Sequence, residues 1–118
     1  MADRSYEVSA RTTDVFGRVL TSCRNHHWIV DAPAVGEEVT PAELFLGGVA
    51  ACAAELIERI AAEDHVDLDG VRTRIHGTIP EQRIRDDVTI FSRVRLDIEL
   101  IGAGEAQAEQ LVEAFKGR

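Results

Sequence analysis

Thr40-Pro41-Ala42-Glu43-Leu44-Phe45-Leu46-Gly47-Gly48-Val49-Ala50-Ala51-Cys52-Ala53-Ala54-Glu55 is the stretch on which the reading of this chain turns. Thr40 is a natural N-cap, Pro41 suits the first helical position, and Glu43 stands three residues after the threonine. Together they make a capping box, in which two side chains satisfy backbone N–H groups that the first turn leaves without partners. Phe45, Val49, Cys52, Leu56 and Ile60 then recur at helical spacing. The other side carries Gly47, Ala51 and Ala54, which are small rather than polar. A helix apolar on both sides over about three turns has to be covered on both sides. Gly47 and Gly48 each cost about 1 kcal/mol of helix propensity, which makes physical sense where a second backbone packs very close. From Glu55 onward the charges return, and the helix is expected to end near Asp64.

Upstream, the first thirty residues have a strand period. Tyr6, Val8 and Ala10 alternate with polar neighbours, a turn is expected near Asp14, a second strand over Phe16 to Thr21, and a third over Asn25 to Asp31. Pro33 closes this meander and Ala32 to Val39 forms a loop. Downstream, Val71, Thr73, Ile75 and Ile79 alternate with Arg72, Arg74 and His76. Val88, Ile90, Val94, Leu96, Ile98 and Leu100 alternate with Thr89, Arg93, Arg95, Asp97 and Glu99. This predicts a long antiparallel hairpin with one wet face, joined by the charged segment Glu81 to Asp87. Gly104 to Lys116 is an amphipathic helix with Leu111, Val112 and Phe115 inward, and Gly117 fits the C′ position. The order is β-β-β-α-β-β-α, an α+β class with a central helix between sheets.

The chain has 118 residues, one domain on ordinary priors. Thirteen basic against twenty-one acidic residues leave a formal charge of −8. That argues against a nucleic-acid-binding face and against binding to an anionic membrane surface, both of which need positive charge. The longest stretch free of polar side chains, Leu44 to Ala54, is too short to span a bilayer. Met1 to Tyr6 is polar and unlike a signal peptide. A cytoplasmic location is expected, where thiols stay reduced.

Two cysteines, Cys23 and Cys52, fall short of a disulfide framework or a four-ligand zinc site. Cys52 lies about three turns into its helix, so the helix dipole does little for it. It is either a small packing residue or a thiolate, and a thiolate there needs a cation brought from another segment. Arg24-Asn25-His26-His27-Trp28 is the second unusual cluster. Adjacent strand residues point to opposite faces, so His26 and His27 do not share a metal, and no metal or cofactor site is expected. Glu43 is already engaged in the capping box, and the Arg93/Arg95 and Asp97/Glu99 pattern is the polar face of a strand.

Arg24-Asn25-His26-His27-Trp28-Ile29-Val30-Asp31-Ala32-Pro33, followed by Thr40-Pro41-Ala42-Glu43-Leu44 and by Cys52 after a run of small residues, resembles the OsmC/Ohr family of osmotically induced and organic-hydroperoxide-resistance proteins. The likeness covers nearly the whole chain in element order, and its specific motifs fall within residues 24–55. It implies an intertwined homodimer whose central helices pack together. It also implies a thiol-dependent peroxidase of oxidative-stress defence, reducing organic hydroperoxides through Cys52 without metal, haem or flavin. Arg24, which matches the arginine-histidine strand of the OsmC-like branch, would activate the thiol, with Arg18 as the next choice. Where the hydroperoxide-resistance branch places a glutamate after the helix-starting proline, this sequence has Ala42, and Glu43 follows it. The family's second cysteine and last strand fall past the final helix, so the expectation is a single OsmC-like domain over residues 1–118 without that segment, served by an external thiol reductant. The alternative is a non-catalytic OsmC-like dimer that binds a small apolar ligand, with Cys52 only packing.

Overall fold

A computed structural model describes residues 3–80 and 91–117. Its elements are β1 (Ser9–Thr12), β2 (Arg18–Cys23), β3 (His26–Asp31), α1 (Pro41–Glu63), β4 (Gly70–Thr78), β5 (Arg93–Ile101) and α2 (Glu105–Lys116). The β-β-β-α-β-β-α order expected from the pattern is the order observed. Two compact units divide the chain, Met1–Phe45 and Leu46–Arg118, and α1 runs from the first into the second.

In the first unit β1, β2 and β3 form an antiparallel meander in that order. Its register runs Ser9↔Ser22 to Thr12↔Val19, and Arg18↔Asp31 to Cys23↔His26. The strands start later than the alternation predicts. Tyr6 and Val8 lie ahead of β1 and are exposed, and Phe16 is wholly exposed in the turn rather than in β2. Cross-strand pairing sets these limits, and the turn after Thr12 consumes the residues between. There Arg18 N–H donates to the Val15 carbonyl at 3.0 Å and Thr13 N–H to the Arg18 carbonyl at 3.1 Å. Gly17 adopts φ +89°, a backbone that L side chains rarely take, and a Cβ there would stand 3.0 Å from Val35 Cγ2.

The first turn of α1 forms as its sequence dictates. Thr40 N–H donates to Glu43 Oε1 at 3.0 Å, and Glu43 N–H donates to Thr40 Oγ1 at 3.2 Å. These bonds hold the Glu43 carboxyl below the usual carboxylate range, the Thr40 backbone N–H contributing most. At the other end His65 N–H donates to the Ala62 carbonyl and Val66 N–H to the Ala61 carbonyl. This is a Schellman closure, with His65 at φ 56° in the place usually given to glycine.

In the second unit β4 and β5 pair antiparallel from Gly70↔Ile101 to Thr78↔Arg93. Val71, Thr73 and Ile75 are half-buried while Arg72, Arg74 and His76 are exposed, so the predicted wet face is present. Val88, Ile90 and the Glu81 to Asp87 connection lie outside the described residues. Gly77 is required by close approach: a Cβ there would fall 2.6 Å from the Phe91 ring. Ile60, Ala61 and Leu111 are the buried centre of this unit, with Leu56, Val66, Leu68, Leu100, Ala114 and Phe115 packed against them. Gly117 caps α2 in a right-handed conformation (φ −79°) rather than the left-handed one expected of a C′ glycine.

The helix stripe needs correcting. Among the expected positions Phe45, Val49, Cys52, Leu56 and Ile60, only Ile60 is fully buried and Leu56 half-buried. Ala53, Ile57, Ile60 and Ala61 are the residues that α1 buries. With apolar side chains on both sides, hydrophobicity alone did not say which face this chain covers.

Candidate active site

Cys52 is exposed, and Cys23 is half-buried. Cys52 is therefore not a core side chain of this chain, which removes intrachain packing as the reason for it. Its helix is tied to the sheet of its own unit at the neighbouring turn, where Thr73 Oγ1 donates to the Ala50 carbonyl at 3.0 Å. Within one turn on the side of the thiol the helix presents Gly48 and Val49, and Gly47 and Ala51 lie further round it, all exposed. A Cβ added at Gly47 or Gly48 would meet nothing within 4 Å.

Charge stands along the same side of α1. Glu55 and Arg59 follow Cys52 by three and seven residues, which at 3.6 residues per turn is about 60° and about 20° around the helix from the thiol. Arg59 Nη2 donates to both oxygens of Glu55, at 2.5 and 2.7 Å. The guanidinium is held above its ordinary value first by this hydrogen bond and then by the Glu55 charge, with smaller contributions from Glu63 and Cys52. Neither Glu55 nor Arg59 was singled out from the sequence, although spacings of three and seven in a helix are readable without coordinates.

Arg24 and Asn25 form the two-residue loop between β2 and β3, and Arg24 is exposed at φ 54°. A non-glycine residue in that region is held there at a cost of about 1–3 kcal/mol. Among the described residues Arg24 makes no ion pair. Arg18 is committed instead. Its Nε donates to Asp31 Oδ1 at 2.8 Å, and its Nη2 donates to Asp31 Oδ2 and Glu37 Oε2, each at 2.9 Å. Asp31 is completely buried, and its Oδ2 also accepts the backbone N–H groups of Glu37 and Glu38. The Arg18 hydrogen bond, with those two N–H groups, holds the Asp31 carboxyl below the usual range. Asp31 is thus an anchor for the loop before α1, a role that spacing alone did not disclose.

Arg24 and Cys52 belong to different compact units, Arg24 to Met1–Phe45 with the β1–β3 meander and Cys52 to Leu46–Arg118 with β4, β5 and α2. His27 Nδ1 lies 2.8 Å from Ser22 Oγ, while His26 pairs across the strand with Cys23, so the two histidines face opposite ways. Among the described residues no three His, Cys, Asp or Glu side chains group to hold a metal ion, and no helix is long and apolar enough to cross a membrane.

These features define an α+β protein with an accessible helix thiol after a capped Thr-Pro turn. The family model of OsmC-like proteins matches residues 34–118, and the chain belongs to that family. Solved structures agree in fold. An OsmC-like protein from Mycoplasma pneumoniae superposes with a TM-score of 0.85 at 13% identity, over 99% of this chain and 84% of that one. An organic hydroperoxide resistance protein OsmC from Legionella pneumophila gives 0.72 at 19% identity, over 98% and 84%. The organic hydroperoxide resistance protein OhrB of Bacillus subtilis gives 0.65 at 22%, over 95% and 83%. The chain has no significant sequence match among curated proteins.

Proposed function

We propose that this protein is a thiol-dependent peroxidase that reduces organic hydroperoxides through Cys52. The exposed thiol on α1 carries the reading, because a reactive cysteine has to be reached by its substrate. Membership of a family whose structural neighbours include organic hydroperoxide resistance proteins supports it. The Cys52 thiolate attacks the terminal oxygen of the hydroperoxide and supplies both electrons. A sulfur–oxygen bond forms, the O–O bond breaks, and the departing alkoxide takes up a proton to leave as the alcohol. The sulfenic acid left on Cys52 condenses with an external thiol to a mixed disulfide and water, and a second thiol regenerates the enzyme. No metal or organic cofactor enters these steps.

Arg24 is the guanidinium assigned to orient the peroxide and favour the thiolate. Its strained backbone and lack of an ion pair among the described residues support it over Arg18, which Asp31 and Glu37 already hold. The working unit is a homodimer. A second copy of α1 is the backbone that Gly47 and Gly48 leave room for.

Adding cumene hydroperoxide and weighing the protein tests the chemistry. The expected result is a one-oxygen adduct on Cys52 that reacts with dimedone, lost in Cys52→Ser, kept in Cys23→Ser and formed more slowly in Arg24→Ala. A Cys52 that stays reduced overturns the reading in favour of a dimer that only binds an apolar ligand.

A further inference from the structure

Glu55 places a carboxylate one helical turn beyond Cys52, at the spacing where helix side chains lie about 5–6 Å apart. An uncompensated anion there opposes formation of a thiolate. Helix side chains lean toward the N-terminus, so Arg59 reaches back over the turn that Glu55 and Cys52 share. It meets Glu55 through one nitrogen, Nη2, which donates to both carboxylate oxygens. Both partners are about half exposed, so the pair adds little to helix stability and its local effect is a matter of charge.

We infer that Arg59, held by Glu55, is a positioning residue for the Cys52 thiolate: it cancels the carboxylate nearest the sulfur along the helix, which uncompensated would oppose the thiolate. The inference deepens the peroxidase reading, since it concerns the same sulfur, and adds a cation on the thiol's own helix to the one proposed for Arg24.

Two roles for the pair separate by sign. If Glu55 and Arg59 matter only as a structural clasp, breaking it from either side changes the thiol in the same direction. If they act by charge, the two breaks move it in opposite directions. The experiment is the rate of Cys52 alkylation by iodoacetamide at neutral pH and low ionic strength, in a Cys23→Ser background, with helicity checked by circular dichroism. Alkylation consumes the thiolate, forms a sulfur–carbon bond and expels iodide, so it reads the sulfur without a hydroperoxide. Arg59→Ala is expected to slow the reaction about threefold, as for the uncompensated Glu55 charge about 6 Å away in water. Arg59→Lys is expected to restore it, Glu55→Gln to quicken it by a similar factor, and the double variant Glu55→Gln/Arg59→Ala to return near the parent rate. Molar salt is expected to erase the differences. Arg59→Ala and Glu55→Gln moving the rate together, or neither moving it, overturns the inference. Failure of hydroperoxide reduction with the alkylation order intact removes the peroxidase reading and leaves this one standing.

Discussion

Asp31 shows what a single carboxylate does in this chain. Completely buried, it accepts two hydrogen bonds from Arg18 and two from the backbone of Glu37 and Glu38. It therefore joins the start of β2, the end of β3 and the loop that delivers the chain to α1. Its carboxyl is held below the usual range, so the stability it contributes is present above the unfolded value of about 3.9 and is lost as pH falls through the lower folded value. Asp31→Asn is expected to lower the urea midpoint clearly at pH 7, with the gap to the parent beginning to close below about pH 4, where the carboxylate of the unfolded chain takes up its proton, and closing as pH falls through the lower folded value. A gap that persists unchanged at pH 3 would show that charge is not what Asp31 supplies. Legibility at this scale was uneven. Glu43 declared its role through three-residue spacing within one turn, whereas Asp31 needed partners 6, 7 and 13 residues away, which no local pattern encodes.

Among the elements, α1 was the most legible at its start and the least along its faces. Its N-terminus was written in Thr40, Pro41 and Glu43, and the capping bonds form between those residues. Its end carries a compromise: His65 adopts φ 56° where a Schellman closure usually uses glycine. His65→Gly is expected to raise stability by about 1 kcal/mol by removing the left-handed penalty, read as an upward shift in the urea midpoint. An unchanged or lowered midpoint would mean that the His65 side chain contributes as much as its backbone costs. The β4–β5 hairpin was legible because strict alternation separates Ile75 from His76 and Leu96 from Arg95, one wet and one dry face. β1 to β3 were legible in number but shifted in extent, since pairing with Ser22 and Val19 decides where β1 begins and ends.

At the scale of the whole molecule, the exposed side of α1 demands an explanation that one chain does not provide. Gly47 and Gly48 sacrifice about 1 kcal/mol of helix propensity each and face open space within this chain. The proposed second copy accounts for that loss. The protein is expected to sediment at twice the chain mass, and Gly48→Leu and Val49→Asp are expected to sediment as monomers with α1 still helical. A parent that sediments as a monomer would remove the homodimer. By itself the sequence determined the element order, the capped entry to α1, the wet face of the hairpin and the family, because each is a matter of local spacing or of residues adjacent in the chain. Only the tertiary structure decided that Ala53 and Ile57 are buried while Val49 and Cys52 are not, and that Arg18 belongs to Asp31. Burial and ion pairing depend on which surfaces the folded chain brings together, and a helix apolar all round carries no mark of that choice.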